Sequence, residues 1–336
     1  MADTSTGRRR AVRTIAATGL GLCAPVALIR NATAAAYPER PLKMVVTYPA
    51  GGSTDVIARA VAVRLGERIG QPVLIDNRGG ASGMLGSEWV ARAPQDGYTL
   101  MMAVADTHSI NPHVYAGIRY DARRHFTPVG LVGYVSYALI VSPGVAATTV
   151  PEFVALARSQ PGKLTFASWG VGSSGQVAME LLKAHAKIDL LHVPFQGAAP
   201  AIAAVMSGQV DAMMVPLTLA DPNHRAGKVR LLGVAAPRRF EGSPDTPTFA
   251  EQGLPLTAGV WLGVLGPAGL PATVVARLNR ELNAALAEPA LRETLVRNGL
   301  EAMPRTADAF RSFMRTEYER WGAVVRGAAI RAEGGS

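Results

Sequence analysis

The stretch best suited to binding chemistry is Tyr48-Pro49-Ala50-Gly51-Gly52-Ser53-Thr54-Asp55. It follows an apolar run from Leu42 to Tyr48 that reads as a buried strand. It precedes a segment from Val56 to Ile69 whose Val56, Ala60 and Val63 share one helical face. A strand, a glycine turn and a helix start point several backbone N–H groups and the positive end of a helix dipole at one place. Such a place attracts a carboxylate or phosphate without any charged side chain. Gly51 and Gly52 let a ligand come close to the backbone, and Ser53 or Thr54 can cap the helix. The same pattern also describes an ordinary capped βα turn, so this stretch alone leaves both readings open.

Gly170-Val171-Gly172-Ser173-Ser174-Gly175 repeats the arrangement between a strand, Leu164 to Ser168, and a helix from about Gln176 to Ala186. It satisfies G-x-G-x-x-G, the spacing of a dinucleotide-binding turn. The acidic residue that would hold a ribose belongs at the end of the following strand, whereas Asp189 comes before it. A second anion-accepting helix N-terminus is the better reading. Ser53, Ser173 and Ser174 lie in no G-x-S-x-G elbow and are placed as hydrogen-bond donors rather than nucleophiles. His108, His113, His125, His185, His192 and His224 have no metal-ligand spacing. Neither a metal nor a cofactor is expected. Trp169 beside the second glycine turn either stacks on a ligand or fills space.

These turns need a large scaffold, and 336 residues with 49% hydrophobic side chains supply one, in a length that suggests two domains. The first 36 residues stand apart. Arg8, Arg9, Arg10 and Arg13 precede an apolar stretch, Ala16 to Ile29, and the segment ends in Ala34-Ala35-Ala36, the pattern of a secretory signal cleaved near Ala36. Cys23, the single cysteine, lies inside it behind Leu22, so the mature chain is expected to carry no disulfide or lipid anchor. Five arginines and one aspartate leave with the signal, so 29 basic and 24 acidic side chains remain, a net +5. That balance, with no arginine-rich run, points away from nucleic acid.

From Tyr37 onward strand-like and helix-like segments alternate, which predicts an α/β fold with largely parallel sheets. Tyr98 to Val104 reads as a strand that runs into the loop Asp106-Thr107-His108-Ser109-Ile110-Asn111-Pro112. Leu131 to Ser142 is long enough to cross between domains, and Val229 to Ala235 is a candidate for the return. Thr149-Val150-Pro151-Glu152 has the form of a capping box. Leu278, Leu282 and Leu286 form one core stripe, and Phe310, Met314, Trp321 and Val325 another.

Several stretches together resemble the Bug family, the TctC-type extracytoplasmic solute-binding proteins of tripartite tricarboxylate transporters. They are Tyr37-Pro38-Glu39-Arg40-Pro41, Pro49 to Asp55, Gly70-Gln71-Pro72-Val73, Asp96-Gly97-Tyr98-Thr99-Leu100, Thr107 to Pro112, Pro161-Gly162-Lys163-Leu164, His192-Val193-Pro194-Phe195 and Ala226-Gly227-Lys228. The resemblance implies a two-domain periplasmic-binding-protein fold of type II-like α/β lobes, with a ligand cleft between domains joined by two crossing strands. Residues 37–134 with 238–336 would form one domain and 135–237 the other. It implies a periplasmic receptor for a small organic carboxylate, without catalysis. The ligand would pass to a TctA/TctB-type membrane permease or a sensor, and the receptor would be a monomer. The competing class is an exported enzyme or nucleotide-binding protein using Gly170 to Gly175.

By the same resemblance, the cleft is lined by Pro49, Ala50, Gly51, Gly52, Ser53, Thr54 and Asp55, by Thr107, His108 and Asn111, and by Ser168, Trp169, Gly170, Ser173, Ser174 and Gln176. There they would hold a ligand carboxylate, partly through ordered waters. Many members carry Asp-Asn where this chain has Val215-Pro216, an asparagine at Val171 and a histidine at Gln176. Without that aspartate no counter-charge for an ammonium group is evident. The expectation is a carboxylate without an amino group, its apolar remainder against Trp169 and Val215.

Overall fold

The computed structural model describes residues 37–332, so the signal-peptide reading and Cys23 lie outside the described residues. The chain opens with β1 (Leu42–Val46), α1 (Ser53–Ile69), β2 (Val73–Asn77), α2 (Met84–Ala91) and β3 (Thr99–Val104). Parallel β2, β1 and β3 follow from helical crossovers, which place α1 and α2 against the sheet. A single π-helical turn, Asp106–Ile110, and the short α3 (Asn111–Val114) follow β3. Next comes β4 (Phe126–Val141), sixteen residues long and almost wholly buried.

The second half is built from α4 (Val150–Ser159), β5 (Thr165–Ser168), α5 (Ser174–Ala186), β6 (Leu191–Pro194), α6 (Ala198–Met206), β7 (Ala212–Pro216), α7 (Leu217–Arg225) and β8 (Arg230–Val234). β5 pairs in parallel with both β6 and β7. The chain then returns through β9 (Gly259–Pro267), α8 (Ala272–Leu286), α9 (Pro289–Arg297), β10 (Leu300–Ala302) and α10 (Ala307–Gly327).

Shared by both halves, β4 binds β9 and β10 along its first part and β7 and β8 along its last, so the strand order runs β2-β1-β3-β9-β4-β7-β5-β6. The expected crossing strand is therefore present, starting five residues earlier than Leu131. The return does not run along β8 itself. It passes from Ala235 to Ala258, whose backbones bond each other while Tyr137 of β4 bonds both.

Apolar side chains explain the layers. Leu278, Leu282 and Leu286 on α8 are buried against α1 and the first sheet half, each burial worth about 1.5–3 kcal/mol. On α1 the inward face is Ile57, Val61 and Leu65, four residues apart, with Ala58 beside them. The face marked by Val56 and Val63 points to solvent, 38% and 59% exposed. Both faces carry apolar residues, so periodicity finds the helix but not its orientation. Phe310 joins the first-half core, whereas Trp321 and Val325, three turns on, join the second-half core, so α10 braces both. Thr149 caps α4 as expected, but Glu152 reaches back one residue further, to the Thr148 N–H and hydroxyl.

Candidate ligand-binding site

The helices that follow β1, β5, β6 and β7 all begin at the rim of one cleft, outside the carboxyl ends of parallel strands. Ligands of open α/β sheets bind at that place. Two hollows make up the cleft, of about 420 and 750 Å³, and they share the side chains of Tyr48, Asp106 and Trp169.

Residues at the start of α1, α5, α6 and α7 line the smaller hollow: Gly52, Ser53 and Thr54; Ser174; Gly197 and Ala198; Pro216 and Thr218. The first turns of α1, α6 and α7 have no side-chain cap, so their leading N–H groups face the cleft without an internal acceptor. No lysine, arginine or histidine is among the residues lining either hollow. The positive potential in the cleft is therefore that of helix ends.

The first glycine turn is shaped from below. Asp55 is buried and accepts from the Gly51 N–H at 2.9 Å, from Arg59 Nε at 2.9 Å and from Asn77 Nδ2 at 2.9 Å. The Arg59 bond above all, with the Gly51 and Asn77 bonds, lowers its carboxyl to about 2. Gly51 takes φ +83°, a conformation that a side chain would strain. Asp55 thus fixes the turn, and the Ser53 and Thr54 end of it meets the cleft.

At the second turn, Ser168 is wholly buried. It bonds the Gly170 carbonyl at 3.0 Å and His192 Nε2 at 2.7 Å. Gln176 Oε1 accepts from the Gly172 N–H at 2.7 Å, and Ser173 caps α5. Ser174 is the member that reaches across: its hydroxyl accepts from Tyr137 and donates to Asp106, both at 2.8 Å. Burial pushes the Asp106 carboxyl above the ordinary range, and the Ser174 hydroxyl and N–H pull against that shift. Burial first, then the neighbouring Asp106 carboxylate, pushes the Tyr48 and Tyr137 phenols well above theirs, so both are neutral.

The structure sorts the expected site residues into three groups. Pro49, Gly52, Ser53, Thr54, Asn111, Trp169, Gly170, Ser173 and Ser174 line the hollows. Ala50 and Gly51 lie at the exposed outer tip of the first turn, while Asp55, Thr107, Ser168, Gln176 and Val215 are buried. Thr107 bonds the Val104 carbonyl and His108 Nδ1, and Val215 packs in the core while its neighbour Pro216 reaches the cleft. His108 turns the opposite way, into a cavity of about 280 Å³ beside Phe126, Met314 and Tyr318. Burial drops its imidazole to about 3.

Sequence reasoning put Tyr48 at the head of the first binding stretch without giving it a role, and missed Asp106, Tyr137, Phe195 and the starts of α6 and α7 as lining residues. Asp106 also revises the expectation that the cleft lacks an acidic counter-charge. It comes from the loop after β3 and not from the position of Val215. Asp106 was detectable as the polar residue ending a buried strand, but nothing in the sequence shows which way its side chain points.

Residues 57–330 match the profile of the Tripartite tricarboxylate transporter family receptor, TctC. The chain belongs to this family. A UPF0065 protein encoded between tcbD and tcbE in a Pseudomonas species is 36% identical over 95% of this chain and 94% of its own. An R. palustris protein solved with adipate superposes with a TM-score of 0.77 at 32% identity, over 88% of this chain and 100% of that one. The periplasmic binding protein BugD gives 0.73 at 31%, over 88% and 100%. The α/β fold is thus that of TctC-type periplasmic solute-binding proteins, a receptor family rather than an enzymatic one. Among the described residues no helix is long and apolar enough to cross a membrane.

Proposed function

We propose that this TctC-family receptor captures a small organic carboxylate by closing its two sheet halves around the cleft, and that the ligand's carboxylate sits on the N-terminus of α1. The observation that carries this reading is the convergence of uncapped helix starts on a cleft that no cationic side chain lines. The R. palustris relative solved with adipate supports the ligand class. Residues 37–134 with 238–336 act as one lobe and 135–237 as the other, hinged where β4 passes between the sheet halves. Residues 1–36 direct export and are removed near Ala36. The loaded receptor then docks on a TctA/TctB-type permease.

A thermal-shift screen of residues 37–336 tests this against mono-, di- and tricarboxylates, their amides and NAD. A carboxylate at a hundredfold excess over its Kd stabilises the folded form by about 2.7 kcal/mol and raises Tm accordingly. Amides of the same acids produce no shift. A shift with NAD alone, or with the amides equally, refutes the reading.

A further inference from the structure

The cleft suits a carboxylate, yet its one charged side chain among the described residues is itself a carboxylate, Asp106, which lines both hollows. Asp106 has no lysine, arginine or histidine within ion-pair distance among the described residues. Its side-chain partner is the Ser174 hydroxyl at 2.8 Å, with the Ser174 N–H close by, and neither neutralises its charge. Around it stand aromatic rings. Tyr48 and Trp169 line both hollows with it, and Tyr137 lies edge-on to Trp169 with ring centroids 5.9 Å apart. A carboxylate that shares a hollow with aromatic rings is the set of groups that recognises an organic cation: the ring faces attract its diffuse charge and the carboxylate neutralises it.

Resting on the receptor reading above, we propose that the ligand brings its own positive charge. It is a betaine-like zwitterion whose methylated ammonium lies against Asp106, Tyr48 and Trp169 while its carboxylate meets Ser53 and Thr54. Both ends fit in one hollow, since the α1 start and Asp106 line the same 420 Å³ space. A ligand with carboxylates alone would bring like charge to Asp106 with no cation to offset it, an arrangement that burial penalises. Methylation matters because a quaternary ammonium has no N–H groups to desolvate and gains most from the ring faces.

Isothermal titration calorimetry on the purified protein decides this with three probes: glycine betaine, its uncharged-end isostere tert-butylacetate, and adipate. Betaine and tert-butylacetate have nearly the same shape, so the difference between them reports the cation. Betaine is expected to bind at least about tenfold more tightly than tert-butylacetate, a difference of about 1.4 kcal/mol. Asp106→Asn keeps an acceptor for the Ser174 hydroxyl and is expected to bring the two within about threefold of each other. Equal binding of the pair, or adipate binding with betaine silent, overturns the proposal and leaves the carboxylate receptor standing. Silence of all three overturns the betaine proposal and leaves the carboxylate receptor to the wider screen above. A betaine preference that survives Asp106→Asn removes Asp106 from the role. If that variant does not fold, the wild-type comparison of betaine with tert-butylacetate still decides.

Discussion

The Asp106 carboxylate accepts the Ser174 hydroxyl at 2.8 Å, and this bond ties the π-helical turn after β3 to the first turn of α5. One partner follows the first sheet half and the other opens a helix of the second. Tyr137, on the strand shared by both, completes the chain by donating to Ser174.

Ser174→Ala breaks this chain at its centre. It leaves the Tyr137 hydroxyl without an acceptor and Asp106 without its hydroxyl donor in a buried setting. The expected loss of stability is about 1–3 kcal/mol, read as a lower midpoint in urea unfolding with an unchanged slope. Ser174→Thr, which keeps the hydroxyl, should recover most of it.

Ser53→Asp separates the helix-end site from the helix itself. An acid in the first turn of α1 favours the helix by about 0.3–1 kcal/mol, so the unliganded Tm should hold or rise. The same acid occupies the place proposed for the ligand's carboxylate. Like charges about 4 Å apart at an effective dielectric near 20 repel by about 4 kcal/mol, so ligand-induced stabilisation should vanish. Thermal melts with and without adipate or betaine measure both effects.

Asp55 sets an acid limit on the first glycine turn. Its folded-state carboxyl lies at about 2, below the ordinary 3.8. The stability it contributes is therefore complete above the ordinary value and disappears as pH falls from there through the folded one. Asp55→Asn should flatten the fall in stability between about pH 5 and pH 2, at a cost near neutrality of about 2 kcal/mol. Urea midpoints collected across that range for both proteins supply the comparison.

Two glycines give a graded test of backbone strain. Gly51 has φ +83° and nothing within 4 Å of an added Cβ, so Gly51→Ala should cost the conformational term alone, about 1–2 kcal/mol. Gly172 has φ +77°, and its Cβ would lie 2.5 Å from Val114 Cγ1. Gly172→Ala should cost a further 1–3 kcal/mol or so through overpacking. Thermal melting should order them wild type, Gly51→Ala, Gly172→Ala.

Alternating segments, the two glycine turns and the linked family motifs made the α/β class, the helix starts after β1 and β5, and the receptor family legible in the sequence. These depend on local chemistry: strand hydrophobicity, backbone freedom at glycine and capping. Which member of each motif faces the ligand depends on tertiary structure. Ser174 meets the cleft while Gln176, two residues on, folds back to hold the turn. Asp106 points into the cleft while His108, two residues on, points away from it, because a π-helical turn rotates successive side chains by nearly a right angle. Tyr137 and the start of α6 enter the site from strands far away in the chain, brought there by the long shared strand β4 and the parallel register of β5, β6 and β7. A local pattern has no term for such distant pairings, so the acidic, aromatic side of the cleft emerged from the packing.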